Sequence, residues 1–592
     1  MSRTACAVFA LFLVVTMRPE AGQSPTSTTA SRNLHQLFAD EWDWTMEQNP
    51  TWASALGDRR WNTRWEDVGL PAIQERESHQ RRALQRLSGI PRQQLSPADQ
   101  LSYDVFQYSY ETEIEGYQYQ WYLVRTNTYD GIQTVQRLAE SLRFETLQDY
   151  DEWLARLRGF PQYMDQNIAL MRLGIERNVL LPKVIMRRIA AQAERLASEQ
   201  ADESGFYKPF LRIPTTISAR DHDRLAKEGR SAVSSAIQAS YRRLQTFIEA
   251  EYLPAAYDGV GIWQAARGRD AYAYMARAYT TTKLTPQQIH ETGLAEVARI
   301  RREMQRIADE VRFKGTLHDF FTFLRTDPSF FYPTAEAYLD ATRALAKRID
   351  PQLVKVFRTL PRLPYGVEPI PAALAPDQPA GYAEYGAADG SRPAYYYVNL
   401  YKPESRPKWE MMALALHEAV PGHCFQGSLA QELADIPHFR KYAGFTAYVE
   451  GWALYAESLG DEMNLYDDPY SRFGQLTYEM WRAVRLVVDT GIHTLEWDRD
   501  RAIRYFMENA AKTELDVTNE VDRYISWPGQ ALAYKVGELK IQELRRRAAA
   551  ALGDRFDLRQ FHDVMLLSGA MPLSVLEARV DHWIAQQTSA SK

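Results

Sequence analysis

Residues 284–313 read LTPQQIHETGLAEVARIRREMQRIADEVRF. Apolar side chains recur there at three- and four-residue spacing, the period of a helix with one buried face. The start is marked as well. Thr285 can cap, Pro286 suits the first helical position, and Gln288 completes a capping box that satisfies otherwise orphaned backbone N–H groups. The same periodicity covers residues 33–48, 147–200, 219–252, 335–349 and 530–552, so the chain reads as mainly α-helical. One stretch breaks the pattern. Residues 360–408 are rich in Pro, Gly and Tyr, and AYYYVNL at 394–400 has the aromatic and β-branched content of a strand. It runs directly into WEMMALALHEAV, residues 409–420, which reads as a helix. A strand beside that helix could offer its edge to an extended peptide, which makes Tyr397 and Asn399 candidate substrate contacts.

The 592 residues are 45% hydrophobic and 25% charged, ordinary for a folded protein. No Gly/Ser-rich linker or charge block divides them, so residues 31–592 read as one large helical domain. The formal charge of −6 arises from 70 basic and 76 acidic residues without marked segregation. That argues against a nucleic-acid stripe or a polybasic membrane patch. Residues 1–30 differ: Arg3 is followed by the apolar run ACAVFALFLVVTM at 5–17 and then by RPEAGQSPTSTTAS. The run is shorter than the ~20 residues needed to cross a bilayer. It reads as a signal peptide with a short linker, with Ala21 and Gly22 as cleavage candidates, and implies a periplasmic or secreted protein. No span is expected after its removal. The cysteines are Cys6 and Cys424, so an exported domain would have to be stable without disulfides.

The chemistry is concentrated in ALALHEAVPGHCFQ, residues 413–426. His417, Glu418 and His423 are the residue types of a hydrolytic zinc site, in which imidazoles hold the ion and a carboxylate takes a proton from water. The two histidines are six residues apart, a rotation of ~600° on an ideal helix, so the rings would point about 120° apart. Pro421 and Gly422 can break the helix and bring His423 back. The third ligand is sought in GFTAYVEGWALYAESLG, residues 444–460. Glu450 is favoured because Gly451 allows close approach; Glu457, seven residues on and on the same face, would orient a ligand histidine. One Zn2+ per chain is expected.

Further on, WRAVRLVVDTGIHTL at 481–495 aligns Arg485, Asp489 and His493 at four-residue steps. Asp489 could orient His493, and His493 could stabilise an oxyanion. In EVDRYISWPGQALAYKVG, residues 520–537, Tyr524 and Tyr534 are candidate donors to substrate and Arg523 could bind a substrate carboxylate. Packing explains most single tyrosines in a chain with 34 of them. IHETG at 289–293 has no second histidine nearby and reads as structural. Cys424, next to His423, is badly aimed to share one ion.

HEAVPGH, EGWALYAE, VVDTGIH and EVDRYISWPGQALAYKVG occur in an order that closely resembles a bacterial family known as domain of unknown function 885. The resemblance runs from about residue 33 to residue 585. That family looks like a relative of the gluzincin peptidases, which include thimet oligopeptidase, thermostable carboxypeptidases and angiotensin-converting enzyme. The resemblance implies a mainly helical, two-lobed body with a deep channel and zinc at its floor, a small β element preceding the metal-binding helix. It implies His417, His423 and Glu450 as ligands, Glu418 as general base, and His493 and Tyr534 facing substrate. Cys424 departs from the family pattern, where a second consecutive histidine is common. The expected activity is hydrolysis of short peptides by a peptidase or carboxypeptidase; a carboxypeptidase or dipeptidase preference would use Arg523 as anchor for the terminal carboxylate, and exopeptidase and endopeptidase action both stay open. The rival expectation is a non-catalytic metal- or peptide-binding protein on the same fold.

Overall fold

The computed structural model of the protein describes residues 28–372, 375–387, 390, 392–434 and 436–589. The expected signal peptide lies outside the described residues. The chain is mainly helical, with one small three-stranded sheet among the described residues. Its helices follow the sequence periodicity closely, with one break. The expected 147–200 helix is two: α1, Leu147–Arg177, stops where Asn178 adopts a left-handed φ of 53°, and Lys183–Ser198 begins after Pro182. Asn tolerates that backbone, and Pro cannot continue the preceding helix. The opening stretch forms α2, Pro286–Glu310, with the Thr285–Gln288 capping box and Pro286 at its start.

The sheet comprises β1 (Tyr365–Pro369), β2 (Gly381–Glu384) and β3 (Ala394–Val398), in the order β1-β3-β2. β3 is parallel to β1 and antiparallel to β2. The strand foreseen from AYYYVNL is therefore central, and both its edges are taken. The expectation that it offers an edge to a peptide is corrected: its N–H and C=O groups already serve neighbours. Ala394, Tyr396 and Val398 are buried, whereas Tyr395 and Tyr397 face the other way.

After the sheet come α3 (Met411–Glu418), α4 (His423–Glu432), α5 (Thr446–Ser458), α6 (Pro469–Thr494), α7 (Glu514–Ser526) and α8 (Ala533–Leu552). α6 is the axis of this half. It sends Leu476, Met480, Val484 and Val487 into one apolar cluster, which includes α1, and Tyr478 into a second cluster built on α3, α5 and α8. α5 and α8 cross at backbone contact. A Cβ on Gly451 would lie 2.5 Å from the Gly537 carbonyl carbon, and one on Gly537 only 1.9 Å from the Ala447 oxygen. Only glycine fits either position, and the crossing fixes α5 beside α3. Among the described residues no helix is long and apolar enough to cross a membrane.

Candidate metal centre

α3 ends at Glu418 and α4 begins at His423, so the chain breaks between the two histidines. Pro421 has no N–H to continue the ladder. Gly422 turns so tightly that a Cβ there would sit 1.8 Å from the His417 carbonyl oxygen. Trp452 on α5 clamps the break, its indole Nε1 donating to the Pro421 carbonyl at 2.8 Å. The break brings the two imidazoles together, with ring centroids 4.9 Å apart and planes at 89°.

Glu450 arrives from α5 between them. Its Oε2 is 3.6 Å from His417 Nε2 and 3.4 Å from His423 Nε2. Ligand atoms 2.0–2.2 Å from a tetrahedral ion lie about 3.3–3.6 Å apart. The two nitrogen–oxygen separations are close to that spacing, and all three candidate ligand atoms lie within 4.8 Å of one another. Glu450 Oε2 has no hydrogen-bond partner, although it is buried. Glu457, one helical repeat further on, accepts at 2.7 Å from His417 Nδ1. That bond directs the Nε2 lone pair of His417 into the centre. The residues present therefore fit a tetrahedral cation of the zinc type.

Electrostatics supports the same fit. Glu418, Glu450 and Glu457 crowd two imidazoles in a site largely closed to solvent. Burial alone would lower the His417 ring, yet the neighbouring Glu450 carboxylate and the bond to Glu457 lift it to about 9. Burial pushes the Glu418 carboxyl above its ordinary value, opposed by the two histidines. Against the same burial, the histidines hold Glu450 well below the usual carboxylate range. Cys424 is buried, its thiol is pushed up by burial and then by the Glu418 charge, and it is not part of the ligand cluster.

Several expected contacts have other partners. His493 is fully buried: Nδ1 accepts the Ile262 N–H at 3.1 Å and Nε2 donates to the Tyr524 carbonyl at 3.0 Å. Burial lowers its pKa to about 4. Neither nitrogen is left for an oxyanion, so the expected catalytic role of His493 is corrected to one of bracing the backbone. Asp489 does not orient His493. It accepts from the Tyr272 hydroxyl at 2.5 Å and the Gly529 N–H at 3.1 Å, and burial pushes its carboxyl up to about 7. Asn399 is spent on its own loop, donating to the carbonyls of Ala375, Gln378 and Pro379 and accepting from the Tyr401 N–H. Tyr397 stacks on Tyr382 at 5.0 Å. Tyr524 is fully buried and donates to Glu520 at 2.7 Å. Tyr534 accepts at 3.1 Å from Arg523, which leaves its own O–H to donate.

One residue near the centre escaped the sequence reading. Tyr385 lies between β2 and β3, lines a cleft of about 800 Å³ with Arg143, Arg392, Gln431 and Tyr442, and rests its ring on the Gly427 backbone. Partial burial, then the charges of Glu450, Cys424 and Glu418, raise its phenol pKa. A tyrosine among 34, in a loop without periodicity, gives no signal of this in sequence.

Residues 50–580 match the family profile described as "Bacterial protein of unknown function (DUF885)". The chain belongs to this family. No curated protein matches this DUF885 chain. The crystal structure of a candidate lipoprotein from Colwellia psychrerythraea is similar to it, with a TM-score of 0.90 and 29% identity over 95% of this chain and 100% of that one. A candidate lipoprotein of unknown function from Shewanella oneidensis shares the fold, with a TM-score of 0.73 and 17% identity over 92% of this chain and 99% of that one.

Proposed function

We propose that this protein is an exported zinc-dependent hydrolase of peptide bonds acting on short peptides. The observation that carries the proposal is the convergence of His417 Nε2, His423 Nε2 and Glu450 Oε2 beside Glu418, with Glu457 fixing His417. A binding protein needs ligands but has no use for a carboxylate next to them. The relation to gluzincin peptidases and a two-lobed, channelled body belong to the same reading. Export is supported by the leader-like N-terminus and by lipoprotein descriptions among similar structures.

A zinc ion held by these three side chains would supply a Lewis acid that polarises a carbonyl and acidifies water. Glu418 takes the proton from the attacking water and delivers it to the leaving amine; its burial-raised pKa brings it nearer neutrality, where such exchange is efficient. Glu457 holds His417 in one tautomer throughout. Tyr385, whose phenol feels the charges of Glu450 and Glu418, and Tyr534, whose O–H is left to donate, are the proposed donors to a developing oxyanion.

The test is elemental analysis of the purified chain alongside the His417→Ala variant, followed by a peptide-library screen. About one zinc per chain, lost in the variant, with hydrolysis that stops in Glu418→Gln, is the expected result. Zinc retained with no hydrolysis of any peptide would favour the binding-protein reading. No zinc in either protein after zinc addition would remove both the ion and the mechanism.

A further inference from the structure

Helix α6 carries a second group of side chains unlike the ligand cluster. Trp481 and Arg482, four and three residues before Arg485, both neighbour it on one side of α6. Arg523 joins them from α7. The group begins at the metal centre, because Arg482 Nη2 lies 3.9 Å from the Glu457 oxygen that holds His417. Arg485 is about 4.5 Å further along the helix axis.

The charges here do not balance locally. Arg485 donates to Glu520 at 2.9 Å and to the Tyr524 hydroxyl at 3.1 Å. Arg523 reaches the other Glu520 oxygen at 3.5 Å, Gln530 at 2.7 Å and the Tyr534 hydroxyl at 3.1 Å. One carboxylate thus serves two guanidinium groups, and nearby Asp489 is occupied by Tyr272 and Gly529. Four buried nitrogens reach no acceptor: Trp481 Nε1, Arg482 Nε, Arg485 Nη1 and Arg523 Nε. Arg482 and Arg485 are only 5% and 3% exposed. A buried charged donor left unpaired is costly, and the cheapest remedy is an anion that accepts several such bonds at once. The Tyr534 ring, 4.3 Å from the Arg485 guanidinium, flanks this group with an aromatic face.

We infer that Trp481, Arg482, Arg485 and Arg523 form a recess that binds the free C-terminal carboxylate of the peptide substrate, so that cleavage falls close to a C-terminus. The inference rests on the peptidase reading and narrows its substrates to peptides with an unblocked end. An incoming carboxylate would supply acceptors to donors that now lack them and offset the excess positive charge. Because the group starts at the Glu457 end of the metal centre, bonds only a residue or two from that end come within reach, at ~3.3–3.6 Å per extended residue.

The experiment compares an N-acetylated alanyl tripeptide bearing a free carboxylate with its C-terminal carboxamide. Hydrolysis is followed with the zinc-loaded full chain, and binding by calorimetry with the Glu418→Gln full chain. Charge-assisted bonds lost on amidation should lower kcat/KM and affinity about 10–100-fold, mostly through KM. In Arg523→Met the ratio between the two peptides should collapse to within about threefold, well below that range. Equal hydrolysis and equal binding of both peptides by the wild type would overturn the inference and leave the peptidase reading standing; the recess would then hold water only. Preferential binding of the carboxylate form without hydrolysis of either would uphold the recess and sink the peptidase reading. The wild-type comparison needs no variant, so misfolding of Arg523→Met would not blunt the test.

Discussion

Replacing the Glu418 carboxylate by a carboxamide keeps its shape and removes its basicity. Glu418→Gln is expected to lower hydrolysis at least ~100-fold, the scale of a lost general base, while elemental analysis finds the zinc content unchanged. Glu457→Gln acts differently. The carboxylate that receives the His417 Nδ1–H at 2.7 Å becomes a neutral amide, free to present its NH2 group instead. Zinc affinity, measured by competition with a chelator, should fall about 10–100-fold. A glutamine variant with unaltered affinity would show that Glu457 does not hold the ring. The cluster of His417, His423 and Glu450 was legible in the sequence because its elements are local: two histidines flanking a Pro–Gly break, then a glutamate before a glycine. The roles suggested for Asp489 and His493 were not, although the four-residue spacing was real. Their partners are Tyr272, Gly529, Ile262 and the Tyr524 carbonyl, contributed by other segments of the chain.

Helices gave themselves away by period; of the sheet only β3 did so, through its aromatic and β-branched content. β1 and β2 have five and four residues, hold Gly366, Pro369 and Gly381, and show no clean alternation of buried and exposed positions. Short strands of that kind are specified by their neighbours rather than by their own pattern. The α5–α8 crossing is similar: Gly451 and Gly537 are unremarkable in sequence until the two backbones meet. Gly537→Ala would drive a methyl into the Ala447 carbonyl. The cost should be about 1–3 kcal/mol, as for overpacking elsewhere. The displacement also moves α5, which carries Glu450, so the variant should lose zinc affinity as well as melting temperature. Thermal unfolding and chelator competition on the same sample would check both; a lowered melting temperature with full affinity would show that α5 adjusts without moving Glu450.

At the scale of the whole molecule, buried histidines set part of the response to acid. His562 donates from Nδ1 to the Val356 carbonyl at 2.8 Å and accepts the Tyr455 hydroxyl at Nε2, and burial lowers its pKa to about 3. Its folded pKa is below its unfolded value, so the unfolded chain binds a proton first as the pH falls. The stability that His562 contributes is complete above the unfolded value of about 6.5 and is lost as the pH falls towards 3, at about 1.4 kcal/mol per pH unit. Asp489, raised to about 7, has the opposite sign: its contribution is complete below the unfolded carboxylate value and is lost as the pH rises through 7. The His562 part is therefore isolated by subtraction. The stability difference between the wild type and His562→Gln, from urea titrations at pH 7 and pH 5, should shrink at the lower pH. A constant difference would mean that the ring is protonated in the folded protein. The three candidate ligands have a larger consequence. His417, His423 and Glu450 sit on three separate helices, and the third is held in place by a backbone crossing with a fourth. An unfolded chain has no such geometry, so an ion that recognises it adds its binding energy to the folded state alone, about 4 kcal/mol at a thousandfold excess over Kd. With such an ion, metal supply would become a thermodynamic partner of folding, and a chain reaching a metal-poor compartment would be the more easily unfolded and the more readily degraded.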